Sequence, residues 1–419
     1  MQAYCREITR CRICGNTELA PVLSLGTQCL TGLFPRADSP DPPAGPLDLV
    51  KCHGGSDACG LLQLKHSYDG SVMYGGEYGY RSSLNKGMVE HLRAKIQKLA
   101  SRVPIGKGDF VLDIGSNDGT SLSFYPKDGP TLIGIDPTAA KFAQYYQPHI
   151  RAVSDFFSAA AFRKAAGSDS ARAKIVTSIA MFYDLENPTH FMSEVRDILA
   201  DDGVWHFEQS YMPAMLEANA YDTVCHEHIE YYALQQIVWM ARRVGLRVVD
   251  VEFNDVNGGS FAVTVRKADT KGDAPNLTEL LGREQALALD TLDPYRRFAE
   301  GVSRHRNELR TLLDKLRGDG KRVFGLGAST KGNVILQFCE IGRQELEYIA
   351  EVNPDKFGCV TPGTRIPIIS EAKARELRPD VFFVLPWHFR QHFIDREQQF
   401  IKGGGRLLFP LPAIGTIPG

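Results

Sequence analysis

The chain has 419 residues, of which 43% are hydrophobic, and its 48 basic residues nearly balance its 50 acidic residues. This length exceeds what one hydrophobic core usually serves, so two or three domains are expected. The balanced charge argues against binding to nucleic acid. No signal core or apolar run of the ~20 residues that span a bilayer is present, so we expect a cytoplasmic monomer that acts on a small molecule.

Four cysteines near the N-terminus have the spacing of a metal site. Cys11 and Cys14 form a C-x2-C knuckle followed by glycine, and Cys52 and Cys59 come after a proline-rich passage. Such a knuckle turns two thiolates toward one point, and a distant second pair completes a tetrahedral zinc site. The spacing predicts structural zinc, because four thiolates leave no open position for catalysis. His53 is a competing ligand for the looser second pair.

The next region is rich in tyrosine and glycine. Tyr74, Tyr78 and Tyr80 are typical of an irregular loop that lines a pocket for a sugar or another ring, although a packed linker fits the pattern equally well. Apolar residues then recur at helical spacing over about 84–101, with Ser83 as the expected cap. This helix is expected to pack on the sheet that follows.

A strand and turn at residues 111–120 have the pattern of a cofactor site. The strand ends at Asp113, Gly115 lets the turn approach a ligand, and a second strand ends at Asp136, whose carboxylate can accept from both hydroxyls of a ribose. The turn lacks the third glycine of the dinucleotide fingerprint, and Asp118 suits a cationic sulfonium better than a pyrophosphate. The pattern favours S-adenosylmethionine over NAD, with an ordinary capped turn as the alternative.

Strands and helices alternate from about 110 to 266, which predicts an α/β, doubly wound, mostly parallel sheet covered on both faces. Asp155 and Phe156 follow the third strand, where an acid and a ring can hold an adenine. Later strands deliver Tyr183 and Glu208 to the carboxyl edge, where ligands bind in this fold. The predicted cofactor residues are Asp113, Gly115, Asn117, Asp118, Asp136, Asp155 and Phe156.

Two histidines, two glutamates and two tyrosines fall within residues 226–232. The run is not H-E-x-x-H, because histidines two positions apart do not share a helical face. A histidine beside a carboxylate can instead serve as a general base near neutral pH. The cluster therefore predicts catalysis, although a lone histidine is usually structural.

A second strand-turn-helix pattern begins at Lys321. Its turn is neither a P-loop nor a complete G-x-G-x-x-G. The turn amides, with Ser329, Thr330 and Lys331, suit a diphosphate at a helix N-terminus. A purely structural α/β domain is the alternative.

The whole chain resembles the sugar C-methyltransferases that act on keto-deoxysugar nucleotides, typified by the antibiotic-sugar 3-C-methyltransferases. The runs that carry this resemblance are Cys-His-Glu-His-Ile-Glu-Tyr-Tyr at 225–232 and Gly-Ala-Ser-Thr-Lys-Gly-Asn at 327–333. The resemblance implies a class I methyltransferase sheet between a zinc-binding module and a second Rossmann-like α/β domain. The expected bounds are 1–72 for the zinc module, 73–268 for the S-adenosylmethionine-dependent domain, and 269–419 for a linker helix and a sugar-nucleotide-binding domain.

The activity that the resemblance implies is methyl transfer to a ring carbon, usually C3, beside the ketone of an NDP-4-keto-6-deoxysugar. That carbon becomes nucleophilic only when a base removes its proton and the enolate oxygen is stabilised. Carried over by position, His228 is the base, Glu227 and His226 orient or assist it, and Tyr74 or Tyr78 contacts the enolate, with Tyr183 or His206 as further donors. The substrate-binding residues are expected to be Tyr80, Tyr183, Tyr231, Ser329, Thr330, Lys331, Asn333, Asn353 and Trp387.

Two positions depart from the resemblance. Cys225 stands where some members have tyrosine, and residues 181–184 lack the histidine that some members carry after the fourth strand. Both fall where the hexose should lie, so the acceptor and the methylated carbon stay open. The rival hypotheses are a small-molecule O- or N-methyltransferase, an NAD-dependent dehydrogenase with Glu351 on the ribose, and a zinc-stapled binding protein.

Overall fold

The structure is a computed structural model that describes residues 4–55, 57–74, 80–270 and 277–418. Tyr78 of the predicted aromatic loop lies outside these ranges. No helix within them is long and apolar enough to cross a membrane.

The N-terminal part is built from short antiparallel strands. A two-stranded sheet pairs the first strand with the fifth, and a four-stranded sheet holds the second, third and fourth strands. The fourth member of that larger sheet is Glu230–Tyr231, a strand from the histidine-rich run far along the chain. The elements are β1 (Cys5–Glu7), β2 (Leu19–Cys29), β3 (Ala44–Cys52), β4 (Leu62–Leu64), β5 (His66–Tyr68) and α1 (Gly70–Met73).

The central part is a seven-stranded sheet. Its elements are α2 (Lys86–Arg102), β6 (Phe110–Ile114), β7 (Thr131–Ile135), β8 (Ile150–Val153), α3 (Ala159–Ala166), β9 (Ala173–Ile179), α4 (Pro188–Ile198), β10 (Leu199–Ser210), α5 (Met212–Glu217), β11 (Glu230–Tyr231), α6 (Leu234–Arg243), β12 (Leu246–Asn254) and β13 (Ser260–Lys267). The strand order is β12-β13-β10-β9-β6-β7-β8. β10, β9, β6, β7 and β8 are parallel, and β13 runs antiparallel to both of its neighbours. The predicted doubly wound α/β fold is confirmed.

The cap of α2 differs from the prediction. Asn85, rather than Ser83, accepts hydrogen bonds from the backbone N of Gly87 at 2.9 Å and of Met88 at 3.2 Å. Ser83 lies in a 3-10 turn before the helix, and its backbone N donates to Asp118 of the predicted cofactor turn at 3.0 Å. Serine and asparagine are both good caps, so tertiary contact decided between them.

The C-terminal part is a six-stranded sheet with helices around it. Its elements are α7 (Leu277–Ala286), α8 (Asp293–Gly318), β14 (Val323–Leu326), α9 (Thr330–Phe338), β15 (Ile349–Glu351), β16 (Ile368–Ser370), α10 (Glu371–Glu376), β17 (Val381–Val384), α11 (Arg390–Arg396), α12 (Gln398–Lys402), β18 (Arg406–Phe409) and β19 (Gly415–Ile417). The order is β16-β15-β14-β17-β18-β19, and only β19 is antiparallel to its neighbour.

Residues 221–232, here named the motif segment, lie where the three parts meet. A single buried apolar cluster joins the N-terminal strands, this segment and the C-terminal sheet. Arg12, from the cysteine knuckle, donates to the backbone O of Leu64 at 2.7 Å and of Ile229 at 3.5 Å. The N-terminal part therefore holds the motif segment directly, through both strand pairing and the Arg12 guanidinium.

Candidate active site

A cavity of about 390 Å³ opens at the carboxyl edge of the central sheet. The predicted residues that line it are Tyr74, Tyr80, Asp113, Gly115, Asn117, Asp136 and Phe156. Asp184, Glu208 and Gln209, which follow or end two neighbouring strands, line it as well. The strand ends meet at one edge, as the fold predicts.

The turn after β6 is shaped by Asp136. The backbone N of Asn117 donates to Asp136 Oδ2 at 2.9 Å, and the backbone N of Thr138 donates to Oδ1 at 2.6 Å. Gly115 has a φ of +72°, and a Cβ there would lie 3.0 Å from Met181 Cγ. A glycine is therefore needed both for the backbone conformation and for the width of the cleft.

Asp113 lies beneath this turn and is almost fully buried. Thr177 Oγ1 donates to it at 2.5 Å, and burial raises the pKa of Asp113 to about 7. Asp118 instead fastens the turn, since it accepts from the backbone N of Thr120 at 3.3 Å and of Ser83 at 3.0 Å. Asp118 and the exposed Asp155 are not among the residues that line the cavity, whereas Phe156 is.

His228 is held in one tautomer. Its Nδ1 lies 2.9 Å from the backbone O of Thr223, and because a carbonyl can only accept, Nδ1 carries the proton. Its Nε2 has no hydrogen-bond partner among the described residues, so the free lone pair of the neutral ring is on that atom. Burial, aided by the charge of Lys331, lowers the pKa of His228 to about 3.

The surroundings of His228 connect it to the cavity. Its ring lies 4.2 Å from the ring of Tyr183, centroid to centroid. The next residue, Ile229, lines the cavity, and its backbone N donates to the Tyr183 carbonyl at 3.0 Å. Tyr231 donates to the His228 carbonyl at 2.8 Å. His228 thus directly precedes, in the sequence, a residue of the cavity wall.

Glu227 and His226 differ in their surroundings. Donor atoms of Glu227, His228 and Cys225 lie within 4.8 Å of one another, and burial raises the pKa of Glu227 to about 7. His226 is 1% exposed, and its Nε2 bonds the Gly45 carbonyl at 3.2 Å. His226 therefore contacts the N-terminal sheet, while Glu227 lies beside His228.

The four predicted zinc ligands converge. The sulfurs of Cys11, Cys14, Cys52 and Cys59 all lie within 4.8 Å of one another, and two of the pairs are 3.4 and 3.5 Å apart. These separations are too long for disulfides and fit four thiolates around one ion, so the residues fit structural zinc. The donor set contains no histidine, so the competing ligand His53 is not part of it.

The C-terminal candidates face the other two parts of the chain. Lys331 Nζ donates to the carbonyl of Asn257, a residue that lines the cavity, at 2.8 Å. Trp387 Nε1 donates to Asp222 of the motif segment at 2.7 Å, and Asn333 Nδ2 donates to the Thr31 carbonyl at 2.8 Å. Their side chains therefore tie the second sheet to the cavity wall, the motif segment and the N-terminal sheet.

Ser329, Thr330 and Asn353 lie at helix starts of the C-terminal part. Ser329 caps α9 by accepting from the backbone N of Gly332 at 3.0 Å, and Thr330 is the first residue of that helix. Asn353 caps the short turn at 354–356. These residues use their side chains or positions for local structure, and the backbone of α9 begins at the predicted diphosphate turn.

Comparisons with known proteins cover every part of the chain. Residues 11–74 match a zinc binding domain family, residues 85–251 a methyltransferase domain family, and residues 255–412 the family described as C-methyltransferase C-terminal domain. The chain is 32% identical over 415 residues to C-methyltransferase NovU of Streptomyces niveus, covering 98% of this chain and 97% of that protein. The chain belongs to the C-methyltransferase family.

Two solved structures match part of this C-methyltransferase. One is the 1,6-didemethyltoxoflavin-N1-methyltransferase of Burkholderia thailandensis, with 13% identity, 45% of this chain and 81% of that chain covered, and a TM-score of 0.32. Another is the plantazolicin methyltransferase BpumL, with 12% identity, 44% and 87% coverage, and a TM-score of 0.35.

The C-methyltransferase depends on S-adenosylmethionine, and the cavity residues fit this cofactor. Asp136 and Phe156 line it at the positions expected for ribose and adenine, and the Gly115 turn leaves room that a Cβ would fill. When bound, S-adenosylmethionine supplies an electrophilic methyl group.

Sequence reasoning missed the partners of Glu208 in this C-methyltransferase. His91 Nε2 and Lys95 Nζ, one turn apart on α2, reach the carboxylate at 2.5 and 2.6 Å, and Asn254 Nδ2 donates to it at 2.8 Å. The hydrogen bond from His91 and the charge of Lys95 lower the pKa of Glu208 to about 2 against the effect of burial. The available signal was two polar residues four positions apart beside the apolar stripe of a helix.

Proposed function

We propose that this C-methyltransferase methylates a ring carbon beside the ketone of a nucleotide-linked 4-keto-6-deoxysugar. The acceptor class follows from the sugar C-methyltransferase resemblance of residues 225–232 and 327–333. A 4-ketone has two neighbouring carbons, C3 and C5, and C3 is the one usual in that family. We assign the proton abstraction to His228.

The tautomer of His228 is the observation that supports a carbon acceptor. The Thr223 carbonyl keeps the proton on Nδ1, which leaves Nε2 as a base. The ring is neutral at pH 7, so the Nε2 lone pair is available, and burial makes it a weaker base than a free imidazole. A carbon beside a ketone needs such a base before it can attack a methyl group, so a fixed base beside the cavity supports the carbon chemistry of the family.

The reaction follows from these groups. His228 Nε2 removes the proton from the carbon beside the ketone, and the electron pair of the broken C–H bond forms an enolate. The Thr223 carbonyl orients the ring, and Glu227, next to His228, stabilises the imidazolium that results. Bound S-adenosylmethionine would supply the methyl group to this carbon, with the methyl–sulfur bond broken and S-adenosylhomocysteine released, and the ketone would re-form.

The nucleotide is proposed to lie at the C-terminal side of the cavity. Lys331 contacts the Asn257 carbonyl at the cavity wall, so its ammonium is close to the point where a diphosphate would leave the hexose site. Binding energy gathered there positions the hexose for reaction.

The test is incubation with S-adenosylmethionine that carries a labelled methyl group and a panel of NDP-4-keto-6-deoxysugars. We expect a labelled methyl on C3 or C5, identified by carbon NMR of the product. Label on oxygen or nitrogen, or no transfer to any sugar while the cofactor still binds, would contradict the sugar assignment.

A further inference from the structure

The loop after β9 brings a carboxyl group to the cavity. Asp184 lines the cavity and belongs to a short 3-10 turn, Phe182–Asp184, that follows the strand. Tyr74, from the N-terminal part, donates from its hydroxyl to Asp184 Oδ2 at 2.9 Å. The other oxygen, Oδ1, is buried without a hydrogen-bond partner among the described residues.

No cation pairs with this carboxyl among the described residues. The charged neighbour that affects it most is Glu227, another acid, and Cys225 also lies within electrostatic range. Burial, aided by Glu227, raises the pKa of Asp184 well above its usual range. A lone buried carboxylate is costly, so burial favours the neutral acid over the ionised form.

The hydrogen bond from Tyr74 decides where the proton lies. Because Oδ2 accepts from the tyrosine hydroxyl, the carboxyl proton belongs on Oδ1, the oxygen that has no partner. A carboxylic acid with its acceptor oxygen already engaged presents one donor, and a ketone oxygen is the matching acceptor. The neighbouring residue Tyr183 contacts the ring of His228, so Asp184 directly follows a residue that touches the base.

We propose that Asp184, as a neutral acid oriented by Tyr74, donates a hydrogen bond to the ketone oxygen of the acceptor and to the enolate that forms from it. This assignment rests on the proposed function. Asp184 keeps its proton throughout: His228 takes the proton from carbon, negative charge develops on the acceptor oxygen, and the Asp184 hydroxyl stabilises that charge without transfer. A donor aimed at developing charge lowers the barrier more than it tightens ground-state binding.

The test compares two substitutions at this position in the full-length protein. In D184N the amide oxygen can accept from Tyr74 and the amide NH2 can donate in place of Oδ1, whereas D184A removes both. We expect D184A to lose about 10²- to 10³-fold in kcat, and D184N to stay within about tenfold of the parent, a smaller loss than that of one removed donor. D197N, at an exposed aspartate, is the matched control.

The outcomes separate this assignment from the proposed function. If the parent methylates a keto sugar and D184N is as impaired as D184A, the ionised carboxylate is required and the assignment is wrong. If D184A keeps its kcat, Asp184 is structural and the assignment is again wrong. If D184A does not fold, the kcat of D184N decides. A kcat within about tenfold of the parent supports a neutral donor, and a loss of about 10²-fold in kcat overturns the assignment. If the parent protein itself transfers label to no sugar, the proposed function is contradicted, and this assignment fails with it.

Discussion

The central and C-terminal sheets place a carboxylate at the same position and use it in different settings. Asp136 follows β7 and Glu351 ends β15, and each accepts from a backbone N in the turn after the neighbouring strand: Asn117 at 2.9 Å and Ala328 at 2.7 Å. Both carboxylates also accept from backbone amides just after their own strand. The local architecture of the two turns is therefore alike.

The two turns differ in what they face. The central turn opens into the cavity of about 390 Å³. In the C-terminal turn, Lys356 Nζ donates to the Ala328 carbonyl at 2.9 Å and Lys331 reaches across to Asn257. A Cβ at Gly327 would lie 2.7 Å from Pro386 Cγ, so this turn is closely packed. The turn thus faces a cavity in one sheet and, in the other, ties the chain together around the motif segment.

Removal of the zinc should have the largest effect, because it disturbs the N-terminal part, which holds the motif segment between the two sheets. Metal binding at such sites contributes on the order of 10 kcal/mol to folding. We expect C52S to bind no zinc, to unfold the N-terminal part and to lose methyl transfer, since β4 pairs with β11 of the motif segment. Metal analysis and thermal unfolding measure this.

The control for the zinc prediction is C29S. Cys29 is a half-buried thiol outside the four-cysteine cluster, so this variant should keep one zinc ion per chain. A C52S protein with bound zinc and an unchanged unfolding midpoint would contradict the structural role.

Substitution of His228 should have the next largest effect, and the effect should be on the rate of the chemical step and not on folding or cofactor binding. Loss of a general base typically costs about 10²- to 10⁴-fold in rate. We expect H228N to show such a loss in kcat while affinity for S-adenosylmethionine stays at the parental value, because His228 does not line the cofactor cavity. An H228N enzyme that retains most of its activity would favour an O- or N-methyltransferase.

The paired carboxylates test the comparison of the two sheets directly. D136A should weaken S-adenosylmethionine binding by about 10- to 100-fold, since a hydrogen bond to a charged group contributes about 1.5–3 kcal/mol. E351A should leave that affinity unchanged and lower thermal stability, because it frees three backbone amides. Calorimetry on both, with D169N at an exposed site as control, measures the difference. Equal loss of cofactor affinity in the two variants would contradict binding of the cofactor at the central sheet alone.

The smallest expected effect is on the acceptor side of the cavity. K331M removes the ammonium that contacts Asn257, and we expect KM for the nucleotide sugar to rise about tenfold through loss of one charge-assisted contact. The affinity for S-adenosylmethionine should not change. Steady-state kinetics with the sugar varied measure this, and an unchanged KM would make Lys331 a purely structural tie.

The parts of the site that could be predicted from sequence were predicted from local patterns. The turn from Asp113 to Asn117 and the carboxylate of Asp136 follow from strand ends and glycine spacing, and the cysteine knuckle from two thiolates three positions apart. These features lie within a few residues of one another or at equivalent strand ends. Their geometry is set by backbone conformation, which sequence spacing encodes.

Contacts between distant segments could not be predicted in the same way. Glu208 is held by His91 on α2, Tyr74 reaches Asp184, and Glu230–Tyr231 extends the N-terminal sheet. Each contact joins residues more than a hundred positions apart, so no periodicity reports it. The cap of α2 was predicted at Ser83 and is Asn85, because Ser83 is drawn to Asp118.

Exchange of the acceptor's ring protons with solvent tests the central claim most directly. The parent protein is incubated with an NDP-4-keto-6-deoxysugar in deuterium oxide, with S-adenosylhomocysteine in place of the methyl donor. We predict deuterium at the carbon that is later methylated, and no exchange in H228N. Methyl transfer without exchange at that carbon in the parent, or equal exchange in H228N, would contradict a His228-generated enolate.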